Sequence, residues 1–165
     1  ILLMFYYKPY PEVAYWSVKD IHFVVPTGKL IRNIHRWAAQ VMVFVVFAHM
    51  ARIFYTASYR KPREFNWVIG MGLLVLTLGL SFTGYLLPWD QLALWAVTVG
   101  TNMIGYTPVF GNQVRFVLLG GAEIGTNTLL RWYVLHVLFF PFITVIFMAI
   151  HFWRVRKDGG ISGPL

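Results

Sequence analysis

No cysteine occurs in the 165 residues, so disulfides, zinc–thiolate centres, iron–sulfur clusters and thioether-linked prosthetic groups cannot be built from this chain's own side chains. Acid is also scarce: 6 Asp and Glu stand against 14 Lys and Arg, and charged residues make up 12% of the chain. A soluble domain carries about a quarter. Hydrophobic residues reach 58% and aromatics 18%, which is the composition of a membrane protein. The formal charge of +8 could suit nucleic acid, but the basic residues sit at the edges of apolar runs and not in a polar patch. That pattern belongs to a membrane interface and argues against a nucleic-acid partner. Internal repeats and low-complexity segments are also missing.

What is present is a series of long apolar runs. ILLMFYY opens the chain, and residues 1–8 read as the remnant of a first transmembrane helix, since no charged leader or cleavage site accompanies them. Full spans are expected at about 34–55, 67–89 and 130–155. Positions 67–89 hold 23 residues and no charge, about 34 Å of helix against a hydrocarbon core of about 30 Å. Trp67, Trp89, Trp132 and Trp153 sit near span ends, where indoles favour the headgroup region. Pro141 should kink the third span. Between the spans, 8–32 reads as a loop with room for short interfacial pieces and 56–66 as a basic turn. Residues 90–131 read as a cap of short interfacial helices ended by an N-cap at Thr126 to Thr128.

The expected fold is therefore an all-α membrane protein. It is a four-helix transmembrane bundle, its first helix only partly present, with short interfacial helices between helices three and four. Residues 1–165 form one domain. Alternating passage makes the first and third full spans parallel. Lys and Arg tie at seven on each side; setting aside Arg32, Arg36, Arg52 and Arg131 leaves six against four. That weighting puts the 56–66 turn and the C-terminus on the cytoplasmic, stromal or matrix side.

Four histidines lie inside the spans, where ionisable groups are costly and mark function. His35 and His49 are 14 residues apart, and His136 and His151 are 15 apart. These intervals are ~3.9 and ~4.2 helical turns, with axial separations of ~21 and ~22 Å, so each pair lies nearly on one helix face. On parallel spans His35 can face His136 at one depth and His49 can face His151 at another. A single intramembrane histidine is as readily a packed side chain hydrogen-bonded to a neighbouring helix; four at matched depths are not. Two facing imidazoles suit both axial positions of a haem iron, which closes the metal to oxygen chemistry and favours electron transfer. His22, in a loop, matches nothing and reads as an interfacial residue. Arg32 and Arg36 flank His35, Arg131 precedes His136, and Arg52 follows His49. They can neutralise haem propionates or simply snorkel from helix ends. Gly70 and Gly84 repeat the interval of 14 and leave backbone bare for a flat macrocycle, though glycine also serves ordinary helix packing.

SVKDI at 17–21, IRNIHRW at 31–37, RKPREFNWVIG at 60–70, FTGYLLPWDQ at 82–91 and the terminal ISGPL resemble the amino-terminal, dihaem part of the cytochrome b family, most of all its b6 type, across essentially the whole chain. The ending RKDGGISGPL has one residue more than the family's usual form. The resemblance implies two haems b. His35 and His136 would ligate one on the electropositive side, and His49 and His151 the other on the negative side. It implies a subunit of a quinol–cytochrome c or quinol–plastocyanin reductase running a Q cycle with proton translocation. Quinol would be oxidised at the positive face near residues 82–131, beside a Rieske iron–sulfur protein, and quinone reduced at the negative face.

A c-type cytochrome, a homodimeric complex, and a partner carrying the Pro-Glu-Trp-Tyr motif missing here are also implied, in a bacterial plasma membrane or thylakoid. A third haem at the negative-side quinone site is left open. An electron moving between the two histidine levels toward the negative side loses about 1.6 kcal/mol per 100 mV, so the His49/His151 haem should have the higher midpoint potential. The rival readings are a dihaem anchor of a hydrogenase or dehydrogenase and a transporter with a histidine proton relay.

Overall fold

The structure, a computed structural model, describes residues 2–160; the ISGPL motif lies outside the described residues. All regular elements among the described residues are helical. In order they are α1 (Leu2–Tyr6), α2 (Ala14–Phe23), α3 (Gly28–Tyr55), α4 (Glu64–Leu86), α5 (Gln91–Gly105), α6 (Gly111–Leu119), α7 (Thr126–Val134), a π-helical turn (Leu135–Phe139) and α8 (Phe140–Lys157). Three stretches are long and apolar enough to cross a membrane: α3, α4 and the continuous run Thr126–Lys157. The fold is thus all-helical and membrane-spanning, with the short α5 and α6 between the second and third full spans. α3 begins at Gly28, ahead of the apolar run, because Lys29, Arg32 and Asn33 continue the helix into the polar interface.

Two compact units are distinguished: Ile1–Arg36 with Phe82–Leu138, and Trp37–Ser81 with Phe139–Leu165. In the first, α2 buries Ala14, Ser17 and Ile21, a spacing that lines one helical face. Thr27 turns the chain at φ 61°, and Gly28 then packs so closely that a Cβ there would collide with the Ile21 carbonyl oxygen. Asp90 caps α5 by accepting a 2.9 Å hydrogen bond from the Ala93 amide. α5 buries Ala93, Val97 and Thr101, and Ala93 and Val97 join Leu86 and Trp132 in one apolar cluster. Phe82 meets Trp132 edge-on, with ring centroids 5.6 Å apart. The Tyr7 hydroxyl donates to the Leu87 carbonyl over 2.6 Å, and its ring stacks on Tyr133 at 5.4 Å.

α6 ends on Gly120 in the left-handed region at φ 75°. At the start of α7 the N-cap is Gly125, not Thr126 to Thr128. Thr128 stands three residues inside, where its hydroxyl accepts from the Gly125 amide at 3.0 Å and donates to the Leu119 carbonyl at 2.6 Å. Glycine has no side-chain oxygen for the first-turn amides; Thr128 instead satisfies the amide of Gly125 itself.

In the second unit the glycine face of α4 receives aromatic rings from α8. A Cβ on Gly72 would lie 2.7 Å from the Phe147 ring, and one on Gly79 would lie 3.3 Å from Phe140. Near the 56–63 turn, Tyr59 packs against Phe54 at 5.8 Å and Trp67 at 5.5 Å. Phe44, Val45, Phe142 and Val145 are exposed on the chain alone, as suits surfaces that meet lipid or another subunit.

Just before Pro141 the third span changes its helical geometry. Proline cannot donate to the carbonyl four residues back and crowds it, and the turn just before it widens into the π geometry of Leu135–Phe139. A π turn adds one residue to an α-helix. In uninterrupted α-helix, 15 residues leave a side chain roughly 60° off register and 14 leave it roughly 40° off on the other side. A π turn takes up one residue, which leaves 14 of the 15 for ordinary α-helical geometry.

Candidate functional site: two facing histidine pairs

α3 carries His35 and His49; the π turn carries His136 and α8 carries His151. Within the first unit the rings of His35 and His136 stand 6.1 Å apart, centroid to centroid, at an interplanar angle of 74°. Within the second, His49 and His151 stand 6.4 Å apart at 81°. A metal–imidazole bond of about 2.0–2.1 Å plus roughly 1.1 Å from nitrogen to ring centre, taken twice, gives about 6.3 Å. Both pairs therefore have the separation needed to hold one metal ion between two ring nitrogens. Among the described residues no group of three or more His, Cys, Asp or Glu could hold a metal ion. A metal between either pair would take its other ligands from a group that accompanies it, as iron does in a porphyrin.

The glycines predicted beside these pairs lie where the rings are. A Cβ on Gly84 would fall 2.6 Å from Cε1 of His136, and one on Gly70 would fall 3.6 Å from Cε1 of His151. Beside Gly84, Thr83 places Oγ1 3.1 Å from Nδ1 of His136. His151 is placed differently: its Nδ1 is buried without a well-formed hydrogen bond.

The arginines divide. Arg36 and Arg52 are exposed near His35 and His49. Arg32 is half-buried and meets Nδ1 of His22 at 3.3 Å, so His22, read as an unmatched interfacial residue, positions an arginine. Arg131 is drawn to α6 instead, donating to the Val117 carbonyl.

Sequence reasoning missed a polar group in the second unit. His49, His151, Gly70, Ser58, Arg63 and Asn66 line one small open pocket. Arg63 is 7% exposed and Asn66 8%, and neither Arg63 Nε nor Asn66 Oδ1 has a hydrogen-bond partner. Unpaired buried polar atoms of this kind are costly. The signal was in the sequence as Arg63 following Pro62, but a lone arginine in a basic turn looks like any juxtamembrane charge.

The chain is similar to known proteins along its whole length. A family model described as "Cytochrome b/b6/petB" matches residues 1–159. Cytochrome b6 of Heliobacterium modesticaldum is 47% identical over 165 residues, covering 100% of this chain and 77% of the relative. Cytochrome b6 of the alga Gracilaria tenuistipitata is 45% identical over 163 residues, covering 99% of this chain and 75% of the relative. Among solved structures, a chain of a "Hyperthermophilic respiratory Complex III" aligns with a TM-score of 0.89 at 33% identity, over 99% of this chain. This chain spans 44% of that one, less than half its length. The paired histidines thus stand in a chain that belongs to the cytochrome b/b6 family.

Proposed function

We propose that this chain is the dihaem electron-transfer subunit of a membrane-bound quinol-oxidising complex. His35 and His136 hold one haem b and His49 and His151 hold another. The observation that carries the reading is the separation of the two ring pairs, 6.1 and 6.4 Å, each matching an imidazole–metal–imidazole span. When bound, haem b would supply one-electron carriage between ferric and ferrous iron.

The rest is work for the chain's own residues. The paired imidazoles would hold the group from two different helical segments. Thr83 bears on the His136 ring at Nδ1. The apolar spans keep water from the sites. Arg32, Arg36 and Arg52 neutralise carboxylates near the interface. Arg131 shares that role when it leaves the Val117 carbonyl, and Arg63 offers a buried positive charge on the His49 side. Gly70 and Gly84 keep the backbone bare beside the macrocycles.

On this reading electrons pass from quinol at the positive face to quinone at the negative face. Proton translocation by a Q cycle and reduction of a c-type cytochrome or plastocyanin follow from that traffic. The partners are a Rieske iron–sulfur protein, a subunit bearing the Pro-Glu-Trp-Tyr motif, a c-type cytochrome and a second copy of the complex. The membrane is a bacterial plasma membrane or thylakoid, with the C-terminus on the cytoplasmic or stromal side. A third haem at the negative-side quinone site is compatible with this arrangement. The test is haem content by pyridine haemochrome on the purified complex. Two haems b assigned to this chain are expected, and one is expected after His151→Leu. A complex with no haem b on this chain refutes the reading.

A further inference from the structure

We propose that the Thr83 hydroxyl orients His136 and raises its basicity as a ligand, making Thr83 a positioning residue that lowers the midpoint potential of the haem held by His35 and His136. This rests on the dihaem reading above. Thr83 is 1% exposed, and its Oγ1 lies 3.1 Å from Nδ1 of His136. The neighbouring Gly84 backbone supports the same ring, leaving room for no Cβ. An imidazole that ligates metal through Nε2 keeps its proton on Nδ1 and donates it to whatever acceptor stands behind. Here that acceptor is a hydroxyl oxygen from a different helix. A threonine hydroxyl in a helix can donate to its own backbone, as Thr77 does to the Leu73 carbonyl at 2.8 Å, and still accept from a ring N–H.

Donation from Nδ1 pushes electron density toward Nε2, and a more basic ligand favours ferric over ferrous iron. The bond therefore lowers the potential on the His136 side. His151 has no well-formed bond at the equivalent atom. The two sites are thus unequal before any field from the membrane or from neighbouring charges is counted. The inequality has the same sign as the predicted order of potentials, with the His49/His151 haem higher.

The test uses the intact complex with Thr83→Val, which keeps the shape and removes the hydroxyl, and Thr83→Ser, which keeps the hydroxyl. Each is followed by redox titration of both haems and by electron paramagnetic resonance of the ferric forms. In Thr83→Val the midpoint of one haem is expected to rise by the equivalent of about five- to tenfold in its ferric-to-ferrous ratio, tenfold being about 59 mV for one electron. The other haem should stay in place, and Thr83→Ser should return most of the shift. Loss of that haem in Thr83→Val with retention in Thr83→Ser also supports the role of the hydroxyl. Two haems at unchanged potentials in Thr83→Val would overturn the proposal and leave the dihaem reading standing. So would equal shifts in both variants, which would assign the effect to packing. Absence of haem from the unmutated chain would sink the dihaem reading itself.

Discussion

A Cβ placed on Gly84 would lie 2.6 Å from Cε1 of His136 and 3.2 Å from each of its ring nitrogens, so the imidazole rests directly on bare backbone. At Gly70 the same construction meets Cε1 of His151 at 3.6 Å and Met50 Sδ at 3.9 Å, which is ordinary contact. The two glycines share an interval with the histidines but not a tolerance. Gly84→Ala must displace the His136 ring, and overpacking of this kind costs about 1–3 kcal/mol. It is expected to remove or loosen the haem of the first pair while the second is retained. Gly70→Ala should show the smaller loss. Haem-to-protein ratio and thermal loss of the haem absorbance, compared between the two variants, check the order.

The π turn yields a second expectation. One residue of the 15 between His136 and His151 is taken up by the widened turn Leu135–Phe139. Deleting Leu138, which is exposed, would leave an interval of 14 that a plain α-helix accommodates in the same register. Both haem signals are expected to survive the deletion. Deleting Val41 from α3, which has no such turn, would swing His35 about 100° relative to His49. One haem should be lost. The two deletions, compared by optical spectra of the purified complexes, separate register from simple disruption.

The spans and the histidine pairing were legible because both rest on periodicity. Uncharged runs mark membrane helices, and intervals of 14 and 15 place side chains on one face. What periodicity does not encode is the width of a turn. Pro141 announced a break, but whether the backbone would bend, unwind or take up a residue depends on how the preceding carbonyls are accommodated. Side-chain destinations were hidden for a related reason. Arg63 and Arg131 are both basic residues near apolar runs. One is folded inward beside a histidine pair, while the other donates to the end of α6 at Val117. Thr128 looked like a cap, yet it stands inside the helix, because Gly125 holds the capping position. Thr83 stood in a quoted motif without a role until His136 was placed behind it.

Arg63 should matter to the second pair alone. Its guanidinium is nearly buried, with Nε unpartnered, in the pocket that His49 and His151 line. A buried cation without a counter-charge is costly, and an acidic group carried in with the macrocycle would offset that cost. Arg63→Met keeps the length of the side chain and removes the charge. Retention of the His49/His151 haem is expected to weaken by about tenfold, on the order of one charge-assisted hydrogen bond, with the other haem unaffected. Titrating haem loss against detergent or denaturant would show it; equal loss from both sites would count against a local role.

The most direct measurement is electron paramagnetic resonance of the oxidised complex. The imidazole planes are nearly perpendicular, 74° in one pair and 81° in the other. Crossed axial imidazoles leave the iron d orbitals close to degenerate and give strongly anisotropic low-spin ferric signals, whereas parallel imidazoles give rhombic ones. Two strongly anisotropic low-spin signals per chain are expected, one vanishing with His136→Leu and the other with His151→Leu. Rhombic low-spin or high-spin iron in the unmutated protein, or signals indifferent to both substitutions, would contradict paired histidines gripping iron at two levels.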